Sequence, residues 1–94
     1  PDLVCIFLED AERTEKRGGR SLSEYASHIW REYDKFKHKM FMVEAEFNLS
    51  SFKSHDISAE YVMQSRYIFC ENRTSEYYVS KFGVHIPAVS IKDI

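Results

Sequence analysis

Glycine, proline and cysteine are scarce in this chain of 94 residues, which contains three Gly, two Pro and two Cys. Such a balance, with 44% hydrophobic and 15% aromatic residues, excludes a disordered proline-rich chain, so we expect the sequence to fold. Two cysteines are too few for a disulfide scaffold, and we interpret Cys5 and Cys70 as buried free thiols. The length suits one hydrophobic core, which predicts a single domain over residues 1–94.

Long hydrophobic runs are also missing. The longest, from Leu3 to Leu8, is far shorter than the ~18 to 20 residues that cross a bilayer, so we predict a soluble chain without membrane binding. No basic region precedes a long apolar stretch, and cytoplasmic localisation is therefore the default expectation. Two glycosylation sequons, which begin at Asn48 and Asn72, keep secretion open as an alternative.

Recognisable motifs for catalysis or metal binding are absent from the sequence. There is no Gly-rich phosphate loop, no Gly-x-Ser-x-Gly elbow and no metalloprotease motif. The histidines, His28, His38, His55 and His85, form no i, i+4 pair and accompany no Cys-x-x-Cys. We therefore assign no catalytic residue, no metal ligand and no cofactor from the sequence.

One segment has the pattern of an amphipathic helix. Ser21, followed three residues later by Glu24, has the form of a capping box, which marks a helix start. Apolar residues then recur at helical spacing, namely Leu22, Tyr25, Ala26, Ile29, Tyr33 and Phe36. The pattern predicts one long helix from Ser21 to Lys39. The charged stretch before it, Asp10 to Arg20, is interpreted as a surface loop.

The remaining segments have strand patterns. Leu3 to Leu8 is predicted as a strand, and residues 41–47 alternate with period two, which places Glu44 and Glu46 on the solvent side of a second strand. Residues 50–58 are polar and are interpreted as a loop, and one helical turn is expected at residues 56–60. Residues 61–71 and 77–84 are predicted to pair as an antiparallel hairpin. Residues 84–91 are predicted to form a further strand broken by Pro87, which suits an edge position or a bulge.

These elements predict an α+β fold, an antiparallel four- to five-stranded sheet packed on one long helix, in the order β-α-β-β-β with one optional further strand. The strands carry bulky aromatic residues in both registers, namely Tyr67, Phe69, Tyr77, Tyr78 and Phe82. One helix cannot cover both faces of such a sheet. Our leading hypothesis is a non-enzymatic binding or regulatory domain that forms a homodimer, or binds a protein partner, through its sheet face.

Charge is distributed unevenly along the chain and supports a second hypothesis. Residues 1–12 hold four acids and no base, whereas residues 13–39 hold eight bases and four acids. A candidate anion-binding patch comprises Arg13, Lys16, Arg17, Arg20, Arg31, Lys35 and Lys39. Two interpretations stay open: nucleic-acid or other polyanion binding, and a solvated helix surface whose cations match the helix dipole.

The third hypothesis is a small enzyme, either proline-based or metal-based. An amino-terminal proline is a secondary amine that acts as a general base at neutral pH when its pKa is lowered. The order of Pro1, a strand and a helix resembles the opening of the tautomerase family, and this resemblance implies proton transfer that depends on Pro1. The sequence lacks the second β-α-β unit on which that family is built.

Overall fold

The structure is a computed structural model that describes residues 2–93. The described chain forms two compact units, residues 2–4 with 41–93 and residues 5–40, and each is treated separately. The fold is α+β, as predicted. No helix within residues 2–93 combines the length and apolar character needed to cross a membrane. Pro1, on which the tautomerase hypothesis depends, lies outside the described residues.

A five-stranded mixed sheet replaces the predicted antiparallel one. Its strands are β1 (Leu3–Cys5), β2 (Phe41–Asn48), β3 (Tyr67–Asn72), β4 (Tyr77–Val79) and β5 (His85–Ser90). Their order across the sheet is β1-β2-β3-β5-β4. The strands β2, β3 and β5 run parallel, and β4 pairs antiparallel with β5.

The antiparallel hairpin lies one strand later than predicted, because β4 turns into β5 instead of pairing with β3. In this turn the Ser80 N–H donates to the Val84 carbonyl at 2.8 Å, and the Gly83 N–H donates to the Ser80 carbonyl at 2.9 Å. Gly83 has φ of 80°, a conformation that favours glycine. The predicted edge position of Pro87 is also wrong, since β5 is interior. Pro87 has no N–H to donate to β3, and it is tolerated because the pairing of β5 with β3 starts at the next residue, Ala88.

The core of the sheet unit lies on one face of the sheet. Ile68 of β3 and Ile86 of β5 are buried there beneath a 3-10 helix, Leu49–His55, and a short helix, α4 (Ala59–Met63). The predicted turn at residues 56–60 corresponds to the start of α4, where the Ser58 hydroxyl accepts the Tyr61 N–H at 3.1 Å. The 3-10 helix and α4 therefore cover the sheet face that carries Ile68 and Ile86.

In the helical unit the predicted helix start is confirmed and the predicted length is wrong. Ser21 Oγ accepts the Glu24 N–H at 3.2 Å, and Glu24 Oε1 accepts the Ser21 N–H at 3.0 Å. Helix α2 (Leu22–Arg31) then stops at Glu32, whose φ of −100° and ψ of 36° are not helical. A single-turn helix, α3 (Tyr33–Phe36), and a 3-10 turn, Lys37–Lys39, follow.

The break at Glu32 accompanies the packing of Phe36, which is fully buried with Tyr25 and Ile29. The same core includes Ala11, and this explains a second correction. The segment predicted as a charged loop contains helix α1 (Leu8–Thr14), in which Ala11 is buried in this core and the other residues are half-buried or exposed.

Candidate metal centre

The acidic side chains of β2 lie on the opposite face from the one predicted. Glu44 is only 1% exposed, whereas Phe47 is 63% exposed. The pairing register explains this reversal: Glu44 lies beside Ile68, and Glu46 beside Cys70, both of which are buried residues of β3. Paired residues of neighbouring strands share a face, so both carboxylates lie on the core side of the sheet.

A histidine reaches the same region from the 3-10 helix Leu49–His55. Residues three apart lie on one side of a 3-10 helix, which repeats every three residues. Leu49 and Phe52 are buried against the sheet, and His55 continues this series as the last residue of the helix. The helix thus directs the His55 imidazole toward the sheet face that carries the two glutamates.

Glu44, Glu46 and His55 form what we call the carboxylate–histidine cluster. His55 Nε2 lies 3.1 Å from Glu46 Oε1 and 3.5 Å from Glu44 Oε1. One potential ligand atom from each residue lies within 4.8 Å of the other two. The imidazole is stacked on the Tyr61 ring, with centroids 6.1 Å apart and planes 6° from parallel. The centroid of the Phe52 ring lies 5.7 Å from that of the imidazole. These two rings limit the orientations that His55 can adopt.

The electrostatics of the cluster favour a positive ligand. Burial raises the pKa of the Glu46 carboxyl; His55 opposes this shift, while the charges of Glu44 and Asp2 add to it. Two neighbouring carboxylates that are partly withdrawn from water repel each other and lose hydration. Asp2 contributes to the local negative charge, but its Oδ2 accepts the Ala45 N–H at 3.1 Å, which fixes it to the backbone.

Imidazole nitrogen with carboxylate oxygen is a donor set that suits divalent transition metals such as Zn²⁺ or Mn²⁺. Mg²⁺ prefers oxygen ligands and retains much of its water. Three protein ligands would leave at least one coordination position for water or an exogenous ligand.

Asp56, the residue after His55, anchors the end of the 3-10 helix. Its Oδ1 accepts the Ser80 hydroxyl at 2.6 Å, and its Oδ2 accepts the Tyr78 hydroxyl at 3.0 Å and the Lys81 N–H at 2.9 Å. Burial alone would raise the pKa of Asp56, but these hydrogen bonds outweigh it and hold the pKa below its usual value. Burial and the bond to Asp56 raise the pKa of Tyr78 to about 12. The bonds tie the residue next to His55 to the β4–β5 hairpin.

The residues of the predicted anion-binding patch have different surroundings. Arg13 is paired with Glu9 at 3.1 Å and with Asp10 at 3.3 Å on α1. Arg20 and Lys35 both contact the Glu15 carboxylate, which also lies beside His28. The Lys35 contact lowers the pKa of Glu15. Within the described residues, no ion pair is recorded for Lys16, Arg17, Arg31 or Lys39. The structure thus brings Arg20 and Lys35 together on one acid.

The sequon asparagines and the two cysteines, which bear on whether the protein is secreted, have local roles in the fold. Asn72 Nδ2, the atom that glycosylation would modify, donates to Asn48 Oδ1 at 3.1 Å, so the two sequon asparagines bind each other at the ends of β2 and β3. Cys5 and Cys70 are both free thiols. Cys70 is buried and Cys5 half-buried, and burial raises the pKa of both thiols.

Comparison of the chain with protein-family models, curated proteins and solved structures found no match. The carboxylate–histidine cluster therefore stands on its own geometry. Sequence reasoning missed it because Glu44 and Glu46 were placed in solvent and His55 in a loop. The available signals were the Glu-x-Glu spacing on a strand and the three-residue spacing of Leu49, Phe52 and His55.

Proposed function

We propose that this domain binds a divalent transition-metal ion through Glu44, Glu46 and His55. The observation that carries the proposal is the convergence of one imidazole and two carboxylates, whose ligand atoms lie within 4.8 Å of one another. Glu44 is 1% exposed, and its Oε1 is held on the core side of the sheet 3.5 Å from His55 Nε2.

The simpler alternative is an ion pair between protonated His55 and the glutamates. In the ion pair His55 is protonated, whereas metal binding requires the neutral imidazole. The two models differ in their response to added metal.

Zinc is expected to bind the wild-type protein with one ion per chain and to raise its thermal midpoint. His55→Ala should weaken binding by about 100-fold or more, since loss of even an outer partner of a metal ligand costs about 10- to 100-fold. Calorimetric titration with Zn²⁺, Mn²⁺ and Mg²⁺ measures this effect, and Mg²⁺ should bind most weakly. His38→Ala, at an exposed histidine of the helical unit, is the matched control. Equal zinc affinity in both variants would refute the proposal.

Glu46→Gln separates the two models further within the same experiment. Because the folded-state pKa of Glu46 is raised above 4.5, the metal-free wild type loses stability as the pH rises from about 4.5 through that pKa. Glu46→Gln removes this loss, so at neutral pH the metal-free variant should be at least as stable as the wild type. Zinc should no longer stabilise it. A variant that is less stable without metal would support the ion-pair model instead.

A second candidate function, self-association through the sheet, is favoured by the face opposite the core. Ala45, Phe69 and Val89 lie side by side on β2, β3 and β5, and none is buried. Exposed Phe47 and Ile91 continue this surface. A groove of about 370 Å³ runs along this surface and is lined by Leu3, Ala45, Phe47, Phe69 and Ile91, together with the intervening strand residues Glu46, Cys70 and Glu71. An apolar surface of this kind is typical of an interface, and we propose that a second copy of the chain covers it.

Phe47→Lys should convert a homodimer to a monomer, because it places a charge in this groove. Met63→Lys is the control, since Met63 is 68% exposed on α4 and Phe47 is 63% exposed on β2. Sedimentation equilibrium over a range of concentrations measures the mass. A wild-type protein that is monomeric throughout that range, or two variants with the same dissociation constant, would contradict self-association through this face.

A further inference from the structure

A cleft on helix α2 is lined by arginine and serine side chains, which are residue types that commonly bind phosphate. It has a volume of about 410 Å³ and is lined by Arg20, Ser23, Glu24, Ser27 and Arg31. Ser23, Ser27 and Arg31 follow one another at four-residue steps, which puts them on one side of the helix. Arg20 and Glu24 complete the lining at its amino-terminal end. We refer to this feature as the α2 cleft.

Some basic side chains of the helical unit form ion pairs with acidic side chains, and others do not. Glu15 contacts Lys35 and also lies 3.6 Å from Arg20. Arg31 is the last residue of α2, one helical turn after Ser27, and has no acidic partner within the described residues. Its guanidinium is therefore a cation available to a ligand.

Glu24 is the acidic member of the α2 cleft, and its carboxylate already has a structural role. Its Oε1 accepts the Ser21 N–H at 3.0 Å as part of the capping box, and this bond lowers the pKa of Glu24. The side chain is therefore ionised and held at the helix start. With Glu15 counted, which contacts both Arg20 and Lys35, the three bases Arg20, Arg31 and Lys35 exceed the two acids Glu15 and Glu24 by one charge, and this excess suits an anionic ligand.

We propose that the α2 cleft binds a phosphate ester through Arg20 and Arg31, with the hydroxyls of Ser23 and Ser27 as further donors. A guanidinium group offers paired N–H donors that match two oxygens of one phosphate group, and this geometry distinguishes arginine from lysine. Serine hydroxyls donate to the remaining oxygens. The α2 cleft shares no residue with the carboxylate–histidine cluster. Of the seven residues in the anion-binding patch expected from the sequence, Arg20 and Arg31 line this cleft.

The phosphate group could belong to a small molecule or to a nucleic-acid backbone, and binding experiments distinguish these sources. Inorganic phosphate, a nucleoside monophosphate and a single-stranded oligonucleotide are titrated into the full chain at about 50 mM and about 200 mM salt. Binding of the monophosphate without tighter binding of the oligonucleotide identifies a small ligand. Tighter binding of the oligonucleotide, with a steep loss at the higher salt concentration, identifies a backbone.

Arg31→Gln tests the site itself and should weaken binding of the best probe by about tenfold or more, as expected for loss of a charge-assisted hydrogen bond. Lys39→Gln is the matched control, because it removes the same charge from an exposed position of the helical unit outside the α2 cleft. Its affinity should stay within about twofold of the wild type. Arg31→Lys should retain little of the wild-type affinity for the probe, because lysine lacks the paired N–H donors of arginine.

Two results would overturn the proposal. One is an absence of binding by all three probes at the lower salt concentration. The other is an equal loss of affinity in Arg31→Gln and Lys39→Gln, which would assign the binding to diffuse surface charge. Circular dichroism of each variant checks that helix α2 is retained, so that a loss of binding is attributed to the cleft.

Discussion

Phe52→Ala should lower the free energy of unfolding by about 3 to 5 kcal/mol, as is usual for removing a buried phenyl ring. Phe52 is fully buried in the core of the sheet unit, where its ring meets Tyr78 edge-on at 4.8 Å. Small domains are stable by only about 5 to 15 kcal/mol, so the loss is a large share of the total. The ring also contacts His55, and its removal should weaken zinc binding at temperatures where the variant is still folded.

Urea denaturation followed by circular dichroism measures this loss. Phe82→Ala is the matched control, because Phe82 is 44% exposed and lies outside the buried core cluster. It should cost less than about 1.5 kcal/mol. Equal losses in the two variants would contradict the assignment of Phe52 to the core.

Asp56→Ala is the second substitution with a large expected effect, since it leaves three donors without their acceptor. The Ser80 hydroxyl, the Tyr78 hydroxyl and the Lys81 N–H all donate to Asp56, which is 5% exposed. A buried donor that loses its partner destabilises the folded state. We expect Asp56→Ala to lower the thermal midpoint more than Ser80→Ala, which removes only one donor. Asp56→Asn should fall between Asp56→Ala and the wild type, because an amide keeps one acceptor oxygen.

The pH dependence of stability tests the charge of Asp56 separately. Its folded-state pKa lies below the ordinary value of 3.8, so its contribution is fully present above pH 3.8 and is lost as the pH falls through the folded-state pKa. Thermal unfolding of Asp56→Asn should therefore lack this part of the acid decline. If Asp56→Asn and the wild type lose stability in parallel below pH 3.8, the carboxylate is not the group responsible.

These two predictions concern one short element. The 3-10 helix Leu49–His55 supplies the core ring of Phe52 and the candidate metal ligand His55, and its next residue, Asp56, holds the β4–β5 hairpin. A metal bound by His55 would therefore connect β2 to the helix end that Asp56 fixes. From sequence, residues 50–58 are interpreted as a polar loop, because their apolar residues are too few to produce a strand or α-helix pattern.

The sequence alone determined features that depend on neighbours a few residues apart. The start of α2 at Ser21 was predicted because both hydrogen bonds of a capping box form within four residues of chain. The alternating segment that forms β2 was located for a similar reason, since period two is a property of the strand itself. The helical turn near residue 59 also depends on a local cap, Ser58.

Only the tertiary structure decided which face of β2 is buried. Alternation specifies two faces without assigning the core to either, and pairing with Ile68 and Cys70 placed Glu44 and Glu46 on the core side. The candidate metal centre follows from that choice, because His55 meets the glutamates only on that face. The parallel pairing of β3 with β5 was equally inaccessible, since it depends on contacts between distant segments rather than on local turns. Local hydrogen bonds determine where helices and strands begin, whereas long-range packing determines which strands pair and which faces are buried.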